Sequence, residues 1–349
     1  MSTIRWRALV VALAGVLVAP AAGVAQNPAP AVREFTPALT STVDRGLAAL
    51  VAMQEVDGSW TSGRYGKNVA VVSLACLALM ADGNLPGRGP YGDAVEAGLR
   101  WILDQQTETG LIAAQTSHGP MYGHGFATLF LGEVYGMAGT VPGDPDERRL
   151  HDALIRATRL ILGSQNRDGG WRYNPVPNDA DVSVTICQVM ALRSVRNAGL
   201  EVPADAIDRA VDYVRRCQNP DGGFRYQLNN GPSAWPRTAA GVAALFYAGV
   251  YEGDDIENGL DYLIDTALPG GRRPSRSHYF YGHYYAAQAM VLAGGQRWAQ
   301  WWPAIRAELI RDQNVNGGWD DQVVGEAYGT AMALIVLQMP KRYLPIFQR

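Results

Sequence analysis

The sequence is short of cysteine, of charge and of basic runs, and each shortage closes off a class of protein. Only three cysteines, Cys76, Cys187 and Cys217, occur in 349 residues. Their spacing gives neither a disulfide framework nor a Cys-x-x-Cys metal knuckle. Cys76 and Cys187 sit inside apolar helical runs, where a free cysteine behaves as a small buried hydrophobe. Lys and Arg form no cluster and the formal net charge is −3, so no nucleic-acid surface is indicated. No internal stretch has the uninterrupted apolar length of a membrane span. What is present, 48% hydrophobic and 18% charged residues, suits a globular chain with a large core. The length admits one large domain or two smaller ones.

The first residues have a different character. Arg5 and Arg7 precede an apolar run from Ala8 to Ala19, and small residues follow. Gly23-Val24-Ala25 fits a small-x-small cleavage site. Residues 1–25 are therefore expected to be a signal peptide that sends the chain to the periplasm or outside the cell. No Cys follows the run, so a lipoprotein anchor is not expected. An uncleaved anchor is the alternative, and Pro20 and the shortness of the run argue against it. Membrane contact after cleavage is not otherwise indicated. Residues 26–39 read as a Pro/Ala-rich extended lead-in, and 40–349 as the folded body.

That body repeats itself. Gln54 is followed by Gly58 and Trp60, Gln165 by Gly169 and Trp171, Gln218 by Gly222 and Phe224, and Gln313 by Gly317 and Trp319. Two eroded copies fill the gaps. Gln106 and Gly110 have Ile112 at the aromatic place, and Thr266 and Gly270 have Arg272 there. The six anchors fall 52, 59, 53, 48 and 47 residues apart. An amphipathic run precedes each motif, as in Val95–Leu103 and Ile207–Val214. A run apolar on nearly every side follows: Val69–Met80, Phe126–Met137, Val182–Leu192, Ala239–Ala248, Tyr284–Leu292 and Ala331–Met339. A helix apolar all round must be buried all round. The simplest arrangement is six inner helices wrapped by six outer ones, with glycine stops at Gly83, Gly139, Gly199, Gly249 and Gly294. The motif residues read as structural. The Gln amide can satisfy helix-end backbone groups, the Gly lets the chain reverse, and the aromatic covers the join.

This repeat resembles that of squalene and terpene cyclases and of protein prenyltransferase β subunits, above all the bacterial exported proteins with prenyltransferase and squalene-oxidase-type repeats. The resemblance covers nearly all of residues 40–340. It implies an all-α (α/α)6 toroid, a double-walled barrel of six helical hairpins. It does not by itself imply catalysis. Class II cyclases of the family carry Asp-x-Asp-Asp-Thr-Ala at an inner-helix start, and the middle Asp protonates an alkene or epoxide. Thr185 stands seven before Leu192, as Thr330 stands seven before Leu337. In that register the chain reads Asp181-Val182-Ser183-Val184-Thr185, with Ser183 at the donor place. A register shifted by two makes Asp179 the first Asp and Asp181 the donor, with Val182 and Ser183 breaking the rest. Asp181 and Asp179 are thus the candidate catalytic residues, and a helix N-cap is the alternative role. Family prenyltransferases hold zinc with an Asp-x-Cys pair and a His. Ser233–Thr238 offers neither Asp nor Cys, and His283 stands one place off, so no metal and no cofactor is expected.

His118, His124, His278 and His283 cluster at inner-helix starts, and Tyr122-Gly123-His124 recurs as Tyr281-Gly282-His283 and is echoed by Tyr328-Gly329-Thr330. Repeats 2 and 5 face each other across a six-fold ring. Helices pack about 8–10 Å apart, which puts opposite axes roughly 16–20 Å apart and leaves no single metal within reach of both His124 and His283. Tyr122, Phe126, Tyr281, Tyr284, Tyr285 and Tyr328 either fill the barrel or line a pocket for an apolar ligand. His124, Ser183, His283 and Glu326 would supply its polar groups. Asp181 and Glu326 stand at equivalent places in facing repeats. Three functions follow as expectations. One is an exported toroid binding an apolar, isoprenoid-like small molecule, a peptide or a glycan. The second is a class II cyclase-like isomerase using Asp181. The third is a scaffold whose outer surface carries Trp298, Trp301 and Trp302.

Overall fold

The computed structural model describes residues 34–114, 119–137, 145–229, 231–271 and 278–348. The signal peptide, most of the lead-in, His118, Gly139 and Arg272 lie outside these residues. Among the described residues twelve α-helices alternate between two walls: α1 (Pro37–Ala52), α2 (Val69–Met80), α3 (Gly92–Asp104), α4 (Met121–Met137), α5 (Pro145–Gly163), α6 (Val182–Asn197), α7 (Ala204–Arg216), α8 (Trp235–Tyr247), α9 (Asp254–Ala267), α10 (Tyr279–Ala293), α11 (Gly295–Arg311) and α12 (Glu326–Gln338). The even-numbered helices form the inner wall. Each packs on the next, and α12 returns to α2. The odd-numbered helices surround them, and α1 meets α11 across the seam. Strand pairing among the described residues is confined to isolated bridges. The chain is an all-α (α/α)6 toroid.

The two walls follow from composition. In α2 every residue except Ala70 is buried. In α7 the buried residues, Ala206, Ile207, Ala210, Val211, Tyr213 and Val214, make one stripe and the charged residues face outward. The repeat motif staples one outer helix to the next. Gln165 Nε2 donates to Gly169 O at 2.8 Å and to Ala206 O of α7 at 2.8 Å. Gln54, Gln106, Gln218 and Gln313 make the same pair of bonds, to Ala94, Ala153, Asp255 and Thr42 respectively on the far side. The last of these closes the ring, because Thr42 belongs to α1. Gly169 takes a positive φ of 98°, and a Cβ there would stand 2.0 Å from Arg209 O, which leaves room for glycine alone. The indoles of Trp60, Trp171 and Trp319 are buried and donate to Leu50 O, Ile161 O and Leu309 O at 2.7–2.9 Å. In repeat 5, Thr266 instead turns back on Tyr262 O, and Gly270 N is held by Glu308 Oε2 at 2.8 Å.

Three expectations need correction. The first helix begins at Pro37, capped by Thr36, three residues ahead of the boundary expected at residue 40. Helices α4, α8, α10 and α12 begin four or five residues earlier than the apolar pattern indicates. Their first turns contain glycine or proline, which masks the helical pattern. Gly282 shows why it is there: a Cβ would lie 2.1 Å from the Trp235 ring. Finally, Trp301 and Trp302 are buried and Trp298 is half-buried, with its indole donating to Glu34. They pack the seam, so among the described residues this cluster offers no exposed tryptophan surface for a scaffold. Cys76, Cys187 and Cys217 are free and buried.

Candidate functional site

A cavity of about 940 Å³ opens at the end of the barrel where the inner helices begin. Its size is near the upper end for small-molecule pockets. Among the described residues, Tyr65, Tyr122, Phe126, Tyr173, Tyr279, Phe280, Tyr281, Trp319 and Tyr328 line it. Val69, Val71, Leu74 and Leu309 add aliphatic surface, and Glu308, Asp312, Asp320 and Asp321 add carboxylates. Much of that acidity is already engaged. Glu308 accepts from Tyr279 Oη at 3.0 Å and from Gly270 N. Asp321 Oδ1 accepts from Val323 N and Val324 N at 2.9 and 2.8 Å. Asp312 pairs with Arg311. Burial pushes the phenols of Tyr122, Tyr281 and Tyr328 well above their ordinary range, so the wall presents neutral hydroxyls. His278, which also lines the cavity, precedes α10 in the left-handed region with φ 57°.

Of the residues singled out from sequence, Tyr122, Phe126, Tyr281, His283 and Tyr328 stand on this wall. The others stand elsewhere. Asp181 is fully buried as the N-cap of α6: Oδ1 accepts from Val184 N at 2.9 Å, and Oδ2 pairs with Arg172 Nη1 at 3.2 Å. Burial raises its carboxyl to about 6, against the pull of the Val184 N–H and Arg172. Asp179 is exposed, pairs with Arg172 at 3.3 Å and accepts from Gln227. Ser183 is buried, and the nearby Tyr281 hydroxyl has no hydrogen-bond partner. Tyr284 is buried between Phe126 and Tyr285. Glu326 accepts from Asn316 in the repeat-6 loop at 2.6 Å.

His124 is the instructive displacement. It points outward, between the walls, and is fully buried. Its Nδ1 accepts from Ile112 N at 3.1 Å, and its Nε2 faces Ala157 O of α5 at 3.1 Å. Burial lowers its pKa to about 4, so it is a neutral imidazole. Thr185, Thr238 and Thr330 do the same work in repeats 3, 4 and 6, accepting from Trp171 N, Phe224 N and Trp319 N at 2.9–3.1 Å. His124 is therefore repeat 2's version of a structural threonine, and His283 occupies the same place in repeat 5. Sequence reasoning missed Tyr65, Tyr173, Tyr279 and Glu308. Tyr279 stood in the aromatic run before Gly282, but nothing marked the outer-helix Glu308.

The profile of the prenyltransferase alpha-alpha toroid domain matches residues 93–343. The chain is similar to squalene–hopene cyclase of Alicyclobacillus acidocaldarius, 27% identical over 307 residues, covering 76% of this chain and 47% of the relative. It is similar to a drimenyl diphosphate synthase of Streptomyces showdoensis, 24% identical over 178 residues, or 50% of this chain and 30% of that one. The chain thus spans at most about half the length of these curated relatives. Among solved structures, the type II terpene cyclase MstE from Scytonema superposes with TM-score 0.58 at 16% identity, over 88% of this chain and 99% of that chain. The GH76A alpha-1,6-mannanase from Salegentibacter does so with TM-score 0.65 at 8% identity, over 87% and 99%. At such identities the likeness is one of fold alone. By its repeat, its closed double wall and its matching profile, this chain belongs to the prenyltransferase alpha-alpha toroid family.

Proposed function

We propose that this chain is an exported binding toroid that holds an apolar, isoprenoid-like ligand in the cavity at the mouth of its barrel. One observation carries the reading. The cavity is walled mainly by aromatic and aliphatic side chains, while the carboxyl nearest the expected donor place, Asp181, is committed to capping α6 and pairing with Arg172. Aromatic faces suit an apolar chain. A structure of MstE holds geranylgeranyl dihydroxybenzoate, which supports an isoprenoid as the kind of ligand a barrel of this shape accepts. Protonation of an alkene by Asp181 would need the carboxyl to reach the cavity, and it is fully covered. Ser183, at the donor place in the other register, is far too weak an acid.

The test is to purify the protein from its native compartment and analyse an organic extract by mass spectrometry. An isoprenoid lipid is expected, and Phe126→Trp, which fills the cavity, should weaken its rebinding at least roughly tenfold. Asp181→Asn should bind as the wild type does. A protein that carries no lipid and binds no polyprene overturns the reading. Turnover of a polyprene that disappears in Asp181→Asn replaces it with cyclase chemistry. Export is supported by the basic, apolar and small-residue order of residues 1–25. A mature N-terminus at Gln26 is the expected result of N-terminal sequencing.

A further inference from the structure

Most hydroxyls on the cavity wall are already committed. Tyr173 Oη is bonded to Tyr226 Oη, Tyr279 Oη donates to Glu308 at 3.0 Å, and Ser62 Oγ donates to Val324 O at 2.9 Å. Tyr281 gives its ring to the wall, but its hydroxyl is covered by protein. Tyr122 and Tyr328 differ from all of these. Each is partly exposed on the wall. Among the described residues neither hydroxyl makes a hydrogen bond, and neither is covered as that of Tyr281 is. The two phenols come from α4 and α12, which pack on the two sides of α2. Tyr281 lies within electrostatic range of both, so they share one neighbourhood of the barrel. The Tyr173 ring, centred 6.0 Å from that of Tyr122, flanks it.

We propose that the ligand of this cavity carries a carbonyl oxygen, as an isoprenoid ketone or quinone does, and that Tyr122 and Tyr328 are its hydrogen-bond donors. The inference rests on the reading of the cavity as an apolar-ligand site and names the polar group of that ligand. Three features select a neutral acceptor. A pure hydrocarbon that fills the cavity strips water from both phenols and leaves them unpaired, which is unfavourable. Burial holds both phenols well above their ordinary range, so each keeps a proton to donate. Glu308, Asp312, Asp320 and Asp321 share the wall and disfavour an anionic head. A ligand alcohol gains less than a carbonyl. Its own proton seeks an acceptor, and Glu308 and Asp321 are already engaged by Tyr279, Gly270, Val323 and Val324. The aromatic faces around the two hydroxyls suit a flat, conjugated carbonyl group.

The experiment titrates the purified full chain with three probes: farnesylacetone, the secondary alcohol made by reducing it, and the hydrocarbon farnesene. It reads intrinsic fluorescence and the infrared carbonyl band of bound farnesylacetone. The ketone should bind roughly tenfold more tightly than farnesene, the effect of one to two neutral hydrogen bonds. Its carbonyl band should lie below its position in a hydrocarbon solvent. Tyr122→Phe and Tyr328→Phe each remove an oxygen that bonds nothing in the protein, so both should fold as the wild type does. Each should weaken the ketone roughly three- to fivefold, leave farnesene unweakened and move the carbonyl band back toward the solvent position. The double variant should bind ketone and hydrocarbon equally. The carbonyl band needs no variant and decides the matter if one of them melts early. Equal binding of ketone and farnesene by the wild type, with an unshifted band, overturns the inference and leaves the apolar-ligand reading in place. So does tighter binding of the alcohol than of the ketone. Failure of all three probes to bind removes that underlying reading, and this inference with it.

Discussion

A histidine and a threonine share no chemistry beyond a hydrogen-bond acceptor, yet His124 and Thr185 occupy the same place and do the same work. His124 bridges a loop N–H and a carbonyl of the next outer helix while fully buried. Its truncation leaves both groups unpaired in the interior. His124→Ala should lower unfolding free energy by about 2–4 kcal/mol, read as a lower urea midpoint with an unchanged slope, and should leave ligand affinity as it was. An undiminished midpoint would show that water or a neighbour takes over both bonds. The Tyr-Gly-His and Tyr-Gly-Thr echoes were legible in the sequence, and they contained this equivalence. What they did not contain is direction. On a helix adjacent residues point about 100° apart, so Tyr122 reaches the cavity while His124, two places on, turns toward the outer wall.

At the scale of elements, the inner helices were legible because a helix without a polar face has only one place to go. Their first turns were not, because Gly123, Gly282 and Gly329 interrupt the pattern where neighbouring elements approach. A second element feature depends on the C-terminal 3-10 turn Pro345–Phe347, which packs on α6. Glu133 of α4 is buried, with Oε1 accepting from Ser194 Oγ at 2.7 Å and Oε2 from Ile346 N at 3.1 Å. Burial raises its pKa from 4.5 to about 7, against the pull of those two bonds. Tyr247 of α8 and Tyr284 of α10 face it, and both are held neutral by burial. Because the folded pKa is raised, the folded state holds the proton more tightly. The stabilisation is complete below about pH 4.5 and is lost as pH rises through 7. Glu133→Gln keeps an acceptor for Ile346 and a donor for Ser194, and it cannot ionise. Between pH 5 and 8 the wild type should lose about 1–3 kcal/mol relative to Glu133→Gln, measured by parallel denaturation. Equal pH slopes in the two proteins would show that the carboxyl titrates as if exposed.

For the whole molecule, closure distinguishes this toroid from an open repeat array, whose stability is a sum over neighbours. Here α1 covers α12 and meets α11, and Gln313 and Ser62 bond across the seam to Thr42 O and Val324 O at 2.8 and 2.9 Å. Removing residues 34–60 exposes the apolar faces of α12 and Trp319 together. That truncated chain should lose its single cooperative thermal transition rather than melt as a ring short of one outer helix. A sharp transition within a few degrees of the intact protein would mean that the repeats are stable pairwise and closure adds little. No helix among the described residues is long and apolar enough to cross a membrane.

The sequence by itself determined the helices, their pairing and their number, because periodic apolarity and the Gln-Gly-aromatic staple depend only on residues near each other in the chain. It also contained Ser183 and Asp181 as the two readings of the donor place, and the eroded fifth motif. Only the tertiary structure decided which residues meet the cavity, that Asp181 is spent on a helix cap, and that Glu308 reaches the wall from an outer helix. Those outcomes depend on the rotation of each helix about its axis and on the distance between walls. Packing of side chains from distant repeats sets both, and no local pattern records them.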